Sequence, residues 1–266
     1  MKKFFTLYVI SMMAIAVGAA TAKAGTIAHW TFEEGTPGNI ASGTNSIIDI
    51  AGGNNGTPNG GAGAPVYSSI NSTFGTTGLN FNGSTSRVEV ASGSAGALAL
   101  GQPGPNRDFT IEVGLRTSVG GSNGFPVFYG DPQPGKDPYF ILVEPNGNVT
   151  FHIYDGAGQQ NLSSGAGGLA NGTASTIAAV FDYDDDDGAI TDGTTGDDNV
   201  MSLYINQTLV GSLNVGNDVP FYGDTNANLW FGSVHDNGGF LDGDLSDIRI
   251  SDVALSSEEQ LQVSEP

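Results

Sequence analysis

Seven aspartates, Asp184 to Asp187, Asp192, Asp197 and Asp198, crowd between residues 184 and 198, among glycines that let backbone carbonyls turn inward. Oxygen clusters of this kind suit calcium, which takes about six to eight oxygen ligands. The spacing is not that of an EF-hand: with Gly188 at the loop's glycine position, the first ligand falls on Tyr183 and the terminal one on Thr194. Two readings stay open, a calcium site built on Asp184, Asp186, Asp192 and Asp197, or a solvated acidic hairpin tip.

A second set of residues has the chemistry to hold a glycan or a cell-surface partner. Glu112, Arg116, His152, Tyr154, Tyr204 and Trp230 lie on the polar parity of alternating segments. They would supply stacking platforms and hydrogen bonds if their strands share one exposed sheet face. A sheet face with no ligand is the competing reading. Nucleophilic catalysis finds no support, since the chain has no cysteine and no histidine pair at metal spacing.

The elements that must position these residues read as strands. In 27–34 (IAHWTFEE), Trp30 and Phe32 share the face to be buried, and His29 is a partly exposed strand residue. Leu79 and Phe81, then Val88 and Val90, flank Asn82-Gly83 as a hairpin. In 109–117, Phe109, Ile111, Val113 and Leu115 form the apolar face. Strands follow at 125–129, 139–143 and 149–155, the last two joined by a turn at Pro145 to Asn148. TIAAVFDY and NVMSLYIN flank the acidic loop. In the last strand the apolar alternation is clean only after Asp247, so its first half is bent. Ser256 and Glu259 then make a capping box for one short helical turn. The expected core holds Trp30, Phe32, Phe81, Phe109, Ile111, Phe151, Phe181, Leu203 and Phe231.

Composition agrees with many tight turns between short strands: 41 glycines and only 14% charged residues. Lys2 and Lys3 precede an apolar run that ends at Ala22-Lys23-Ala24, which reads as a cleaved secretory signal peptide over 1–24. The remainder, 25–266, is long enough for one all-β domain with a sizeable core, and contains no span of about 20 apolar residues that would insert in a membrane. Without the signal, five basic residues (Arg87, Arg107, Arg116, Lys136, Arg249) face 28 acidic ones, a net charge of −23. Such a surface repels nucleic acid and attracts divalent cations. An acidic surface that merely keeps an exported protein soluble is the plainer alternative.

The segment 239–259, GFLDGDLSDIRISDVALSSEE, resembles the ending of LamG-like jelly-roll domains of the concanavalin A-like superfamily. The opening WTFEEG with the later DIAGGNNG, the LNFNGSTSRVEV segment and the LYIN strand are similar to other parts of that family's pattern. The resemblance implies a two-sheet antiparallel jelly-roll sandwich and a secreted, non-catalytic binding module for polysaccharide or a cell-surface glycoconjugate. A structural or adhesive extracellular protein without small ligand is the alternative. It also implies a structural calcium between an acidic residue of the first strand and an aspartate of the last, for which Glu33, Asp244 and Asp247 are the candidates, since Ser246 stands at the family's aspartate position. The family's hydrolases carry Glu-x-Asp-x-x-Glu on one strand, which is absent here. Further departures are Gly114 in place of a frequent Trp, Ala174-Ser175 in place of a Trp-His pair, and Gln207 in place of Gly. The final residues 263–266, VSEP, are similar to the start of a Val-Pro-Glu-Pro sorting tail.

Overall fold

The computed structural model describes residues 25–72, 75–91, 98–100, 108–118, 123–130, 137–154, 158–183, 199–215, 227–235 and 238–262. The segment 1–24, expected as a signal peptide, the acidic segment 184–198 and residues 263–266 lie outside them.

Among the described residues, fifteen strands form two antiparallel sheets, as the all-β expectation requires. The first sheet contains β1 (Thr26–Trp30), β3 (Val66–Ser72), β4 (Gly75–Asn82), β6 (Phe109–Thr117), β11 (Ala174–Asp182), β12 (Val200–Ile205), β13 (Thr208–Asn214) and β15 (Asp242–Ser251). Its order is β13-β12-β11-β6-β15-β4-β3, with β1 paired to the second half of β15. The second sheet runs β10-β9-β8-β7-β14-β5-β2. Those strands are β2 (Thr57–Pro58), β5 (Val88–Val90), β7 (Gly124–Gly130), β8 (Tyr139–Val143), β9 (Val149–Tyr154), β10 (Gln159–Ser163) and β14 (Asn228–Phe231). Runs of consecutive strands (β3-β4, β7 to β10, β11 to β13) are joined by pairings between distant parts of the chain, β6 with β11 and β15, β15 with β4, and β14 with β5 and β7, which is the jelly-roll manner of closing a sandwich.

Alternating residues of both sheets interdigitate in one core. All nine expected core residues are buried. Phe109 stacks on Phe181 within the first sheet and meets Phe151 of the second edge-on at 6.2 Å, while Trp30 meets Phe231 across the sandwich at 4.9 Å. β15 does bend: the register slips between Leu245 and Asp247, so Ser246 is the extra residue of a bulge and the apolar parity resets there.

Three expectations need correction. The segment around Asn82-Gly83 turns but is no hairpin, because β4 pairs with β3 and β15 while β5 pairs with β14 and β2. The Asn82 side chain accepts from the backbone N–H of Ser84, Thr85 and Ser86 at 2.9–3.1 Å, and residues 83–87 cross the gap of about 10 Å between the sheets. Secondly, β1 stops at Trp30. Phe32 stays buried but sits at φ 57°, a left-handed conformation that no strand continues. Thirdly, the segment 51–77, whose Gly, Asn, Pro and Ser content reads in the sequence as long surface loops inside one domain, contributes β2, β3 and the start of β4.

Beyond β15 the chain folds back as a strap over the outer face of the first sheet. Ser256 N and Oγ both donate to Glu259 Oε2, one arm of the expected capping box, while Glu259 N donates to Ser256 O instead of to the serine side chain, and the chain makes a single turn at 257–260. Thr110 Oγ1 donates to Val253 O and accepts from Leu255 N, and Gln207 Nε2 donates to Ser257 O at 2.7 Å. Asn206 and Gln207 both have positive φ, the backbone of a tight two-residue hairpin turn. The glutamine in place of glycine therefore bears some backbone strain and in return anchors the strap.

Candidate functional site

The six residues expected to line one ligand face divide between two sheets. Glu112, Arg116 and Tyr204 belong to the outer face of the first sheet; His152, Tyr154 and Trp230 belong to the outer face of the second. They cannot form one surface, because the whole core lies between the two faces.

On the first sheet one register line runs His29, Arg249, Glu112, Ala178 and Tyr204. Glu112 is fully buried and accepts from Arg249 Nε at 2.5 Å and from Leu261 N. Arg249 Nη2 in turn donates to Glu259 O at 3.0 Å. Arg116 donates to Asp244 Oδ2 through Nε and Nη2. Glu112 and Arg249 pair with each other and hold the strap, while Arg116 is paired with Asp244 and Tyr204 stays partly exposed.

The second sheet offers an aromatic row. Its register line runs Asn161, His152, Phe140, Phe128, Trp230, Glu89 and Thr57, crossing all seven strands. Their chain neighbours Phe151, Ile153, Val127, Tyr129, Leu229 and Phe231 point into the core, which leaves this row outward. His152 lies flat on Phe140 with centroids 4.2 Å apart, and Phe128 stacks on Phe140 at 5.9 Å. Phe125 meets Phe128 and Phe140 edge-on. Phe140, Phe125 and Tyr154 are half-buried, while Phe128 and His152 are each 1% exposed.

Polar groups frame this row. His152 Nδ1 pairs with Asn161 Oδ1 at 2.9 Å. Burial pulls the imidazole below its usual pKa, opposed by Asn161 and the Asp137 backbone, so the ring is neutral at neutral pH. Asn228 Nδ2 donates to Glu89 Oε1 at 2.6 Å. Trp230 is 7% exposed and its indole Nε1 has no hydrogen-bond partner, a deficit of about 1–3 kcal/mol for a buried donor. Phe125, Phe128, Phe140, Asn161, Glu89 and Asn228 were not singled out from the sequence. Extending the parity of His152 across the neighbouring strands would have found Phe128 and Phe140, once the strand order was known.

The three candidate calcium ligands outside the acidic loop do not converge. Asp244 accepts from Ser68 Oγ, Asn80 Nδ2 and Arg116. Asp247 Oδ1 pairs with His29 Nε2 at 2.5 Å, and Glu33 Oε1 accepts from Thr77 N. Asp247 Oδ2 is buried without a partner, and burial pushes this carboxyl above its usual pKa, with His29 opposing. Among the described residues no three His, Cys, Asp or Glu side chains gather as a metal ion would need. The set does not gather as calcium ligands would: Asp244 is paired with Arg116, and Asp247 is hydrogen-bonded to His29. Asp184, Asp186, Asp192 and Asp197 lie outside the described residues.

Comparison with known proteins gives the fold a family. Residues 82–259 match the family described as the concanavalin A-like lectin/glucanases superfamily. No curated protein matches the chain. Among solved structures, domain 4 of an extracellular arabinanase from Geobacillus stearothermophilus, in complex with arabinotriose, is similar at 16% identity and a TM-score of 0.58, over 89% of this chain and 96% of that one. The carbohydrate-binding module of a Ruminococcus gnavus sialidase, bound to α2,3-sialyllactose, is 14% identical with a TM-score of 0.53, over 69% and 93%. The binding domain of botulinum neurotoxin serotype G is 13% identical with a TM-score of 0.59, and the match spans 88% of this chain and 49% of that domain. At such identities the likeness is one of fold.

Proposed function

The chain belongs to the concanavalin A-like lectin/glucanase superfamily, and from that premise we propose that it is a secreted, non-catalytic module that binds glycan on the outer face of the second sheet. The observation that carries this reading is the aromatic row through His152, Phe140, Phe128 and Trp230, framed by hydrogen-bonding groups. Flat aromatic faces take the apolar faces of sugar rings, and adjacent amides and carboxylates take their hydroxyls. The strap crosses the outer face of the opposite sheet, whereas beside the row on the second sheet Phe125, Phe140 and Tyr154 stay partly exposed. Two structures of similar fold are complexes with arabinotriose and sialyllactose, which supports a glycan as the ligand class.

Glycan-array retention tests the reading, with Tyr154→Ala on the second sheet and Tyr204→Ala on the first. Tyr154→Ala is expected to weaken retention about tenfold, the worth of one stacking contact, and Tyr204→Ala to leave it unchanged. Equal loss in both, or no glycan retained by the parent protein, turns the assignment to a structural or adhesive protein. The near-complete burial of Phe128 and His152 is what favours that second reading.

Calcium remains a proposal for the acidic loop. Millimolar calcium is expected to raise Tm through the Asp184 to Asp198 segment, since a ligand that binds only the folded state stabilises it by mass action. Glu33→Gln should keep the full rise, because Glu33 is not part of a gathered ligand set. Identical melting curves in calcium and in chelator would remove calcium from the account.

A further inference from the structure

The charges around the aromatic row deepen the glycan-binding reading, on which this inference rests: we infer that the site takes neutral glycans and rejects those bearing carboxylates, such as sialylated or uronic acid-containing chains. Glu89 stands directly opposite Trp230 in register, its Oε1 held by Asn228. A second carboxylate reaches the same face, since a Cβ placed on Gly130 would lie 2.7 Å from Asp137 Oδ1, and Gly130 is the register partner of Asn228. Positive charge is scarce to balance them. Of the described basic residues, Arg116 and Arg249 sit on the other sheet and are taken up by Asp244 and Glu112. Arg87, a single positive charge against the two carboxylates, stands two residues before Glu89 in the sequence. His152 is neutral in its buried position. The chain as a whole carries a net charge of −20.

The same groups suit an uncharged sugar. A carboxylate fixed by one amide accepts from vicinal hydroxyls. An acidic sugar in that place would bring its charge to within a few ångströms of Glu89 in a partly desolvated setting, where like charges repel strongly.

The test is an array of neutral oligosaccharides printed beside their sialylated and uronic acid counterparts, probed with the full chain and with two single-charge variants. The parent protein is expected to retain the neutral members at least about tenfold better than the matched acidic ones. Glu89→Gln, whose amide oxygen still accepts from Asn228, is expected to shrink that ratio to about threefold or less. Glu258→Gln, an equal change of net charge on the exposed strap, should leave it intact. Acidic members retained as well as neutral ones, or a ratio that falls equally in both variants, overturns the inference while leaving glycan binding standing. Failure to retain any glycan overturns glycan binding itself and the inference with it.

Discussion

Replacing Glu112 with alanine is expected to lower the stability of the fold by about 3–5 kcal/mol, the usual cost of leaving half of a buried ion pair behind. For a domain of this length that corresponds to a fall in Tm of roughly 6–20 °C. Glu112 is fully buried and joins three elements. Arg249 of β15 pairs with one carboxylate oxygen, and Leu261 of the strap donates to the other. In the variant the Arg249 guanidinium, whose side chain is only 12% exposed, loses its counter-charge. The double variant Glu112→Leu/Arg249→Met removes both charges and should recover most of the loss, because apolar packing of similar volume is no worse than a buried pair. Tm then separates the two effects. Limited proteolysis separates the strap: cleavage between Leu255 and Leu261 should accelerate in both variants, since Leu261 has lost its acceptor in each. A double variant as unstable as the single one would show that Glu112 acts through the strap and not through its charge pair.

The legibility of the fold follows from where each signal resides. Core positions such as Phe109, Ile111, Phe151 and Phe231 could be read because alternation along one strand is local, and burial follows parity whichever strands become neighbours. The bend in β15 was visible as a break in that alternation at Asp247. Strand partners were not visible. Asn82-Gly83 announces a turn, yet only the pairing of β4 with β15 and of β5 with β14 decides that the chain changes sheets there. The candidate site suffered from the same gap. Parity placed Glu112, Arg116, Tyr204, His152, Tyr154 and Trp230 outward on their strands, and it cannot say that three of them face one way and three the other. The burial of Glu112 depends on the strap, whose path over the sheet is set by Thr110, Gln207 and Arg249, contacts between residues that are far apart in sequence.

Asp49 is the other position where a single substitution should be felt throughout the molecule. Its carboxylate sits under the loop that follows β1 and accepts five hydrogen bonds. Oδ1 takes the backbone N–H of His29, Ala51 and Gly52 at 2.8–3.1 Å, and Oδ2 takes the backbone N–H and side-chain amide of Asn54 at 2.9 and 2.8 Å. The loop so formed presents Asn54 O to the indole N–H of Trp30, and a Cβ at Gly52 would collide with Ile27 O. Burial by itself would raise the Asp49 pKa, but the four backbone donors outweigh it and hold the carboxyl below its usual value. The sign of the pH effect follows. A folded pKa depressed below the unfolded value of about 3.9 adds stability that is complete above that value and disappears as pH falls through the folded pKa. Asp49→Asn presents an amide where donors converge, so it cannot accept from both sets. It is expected to cost about 3 kcal/mol at neutral pH, a fall in Tm of roughly 6–12 °C. The difference between parent and variant should narrow as pH drops below about 4, because the parent then loses its own advantage. Melting curves from pH 7 down to pH 2 check this, and a difference that stays constant across the range would show that the loop depends on the shape of Asp49 and not on its charge.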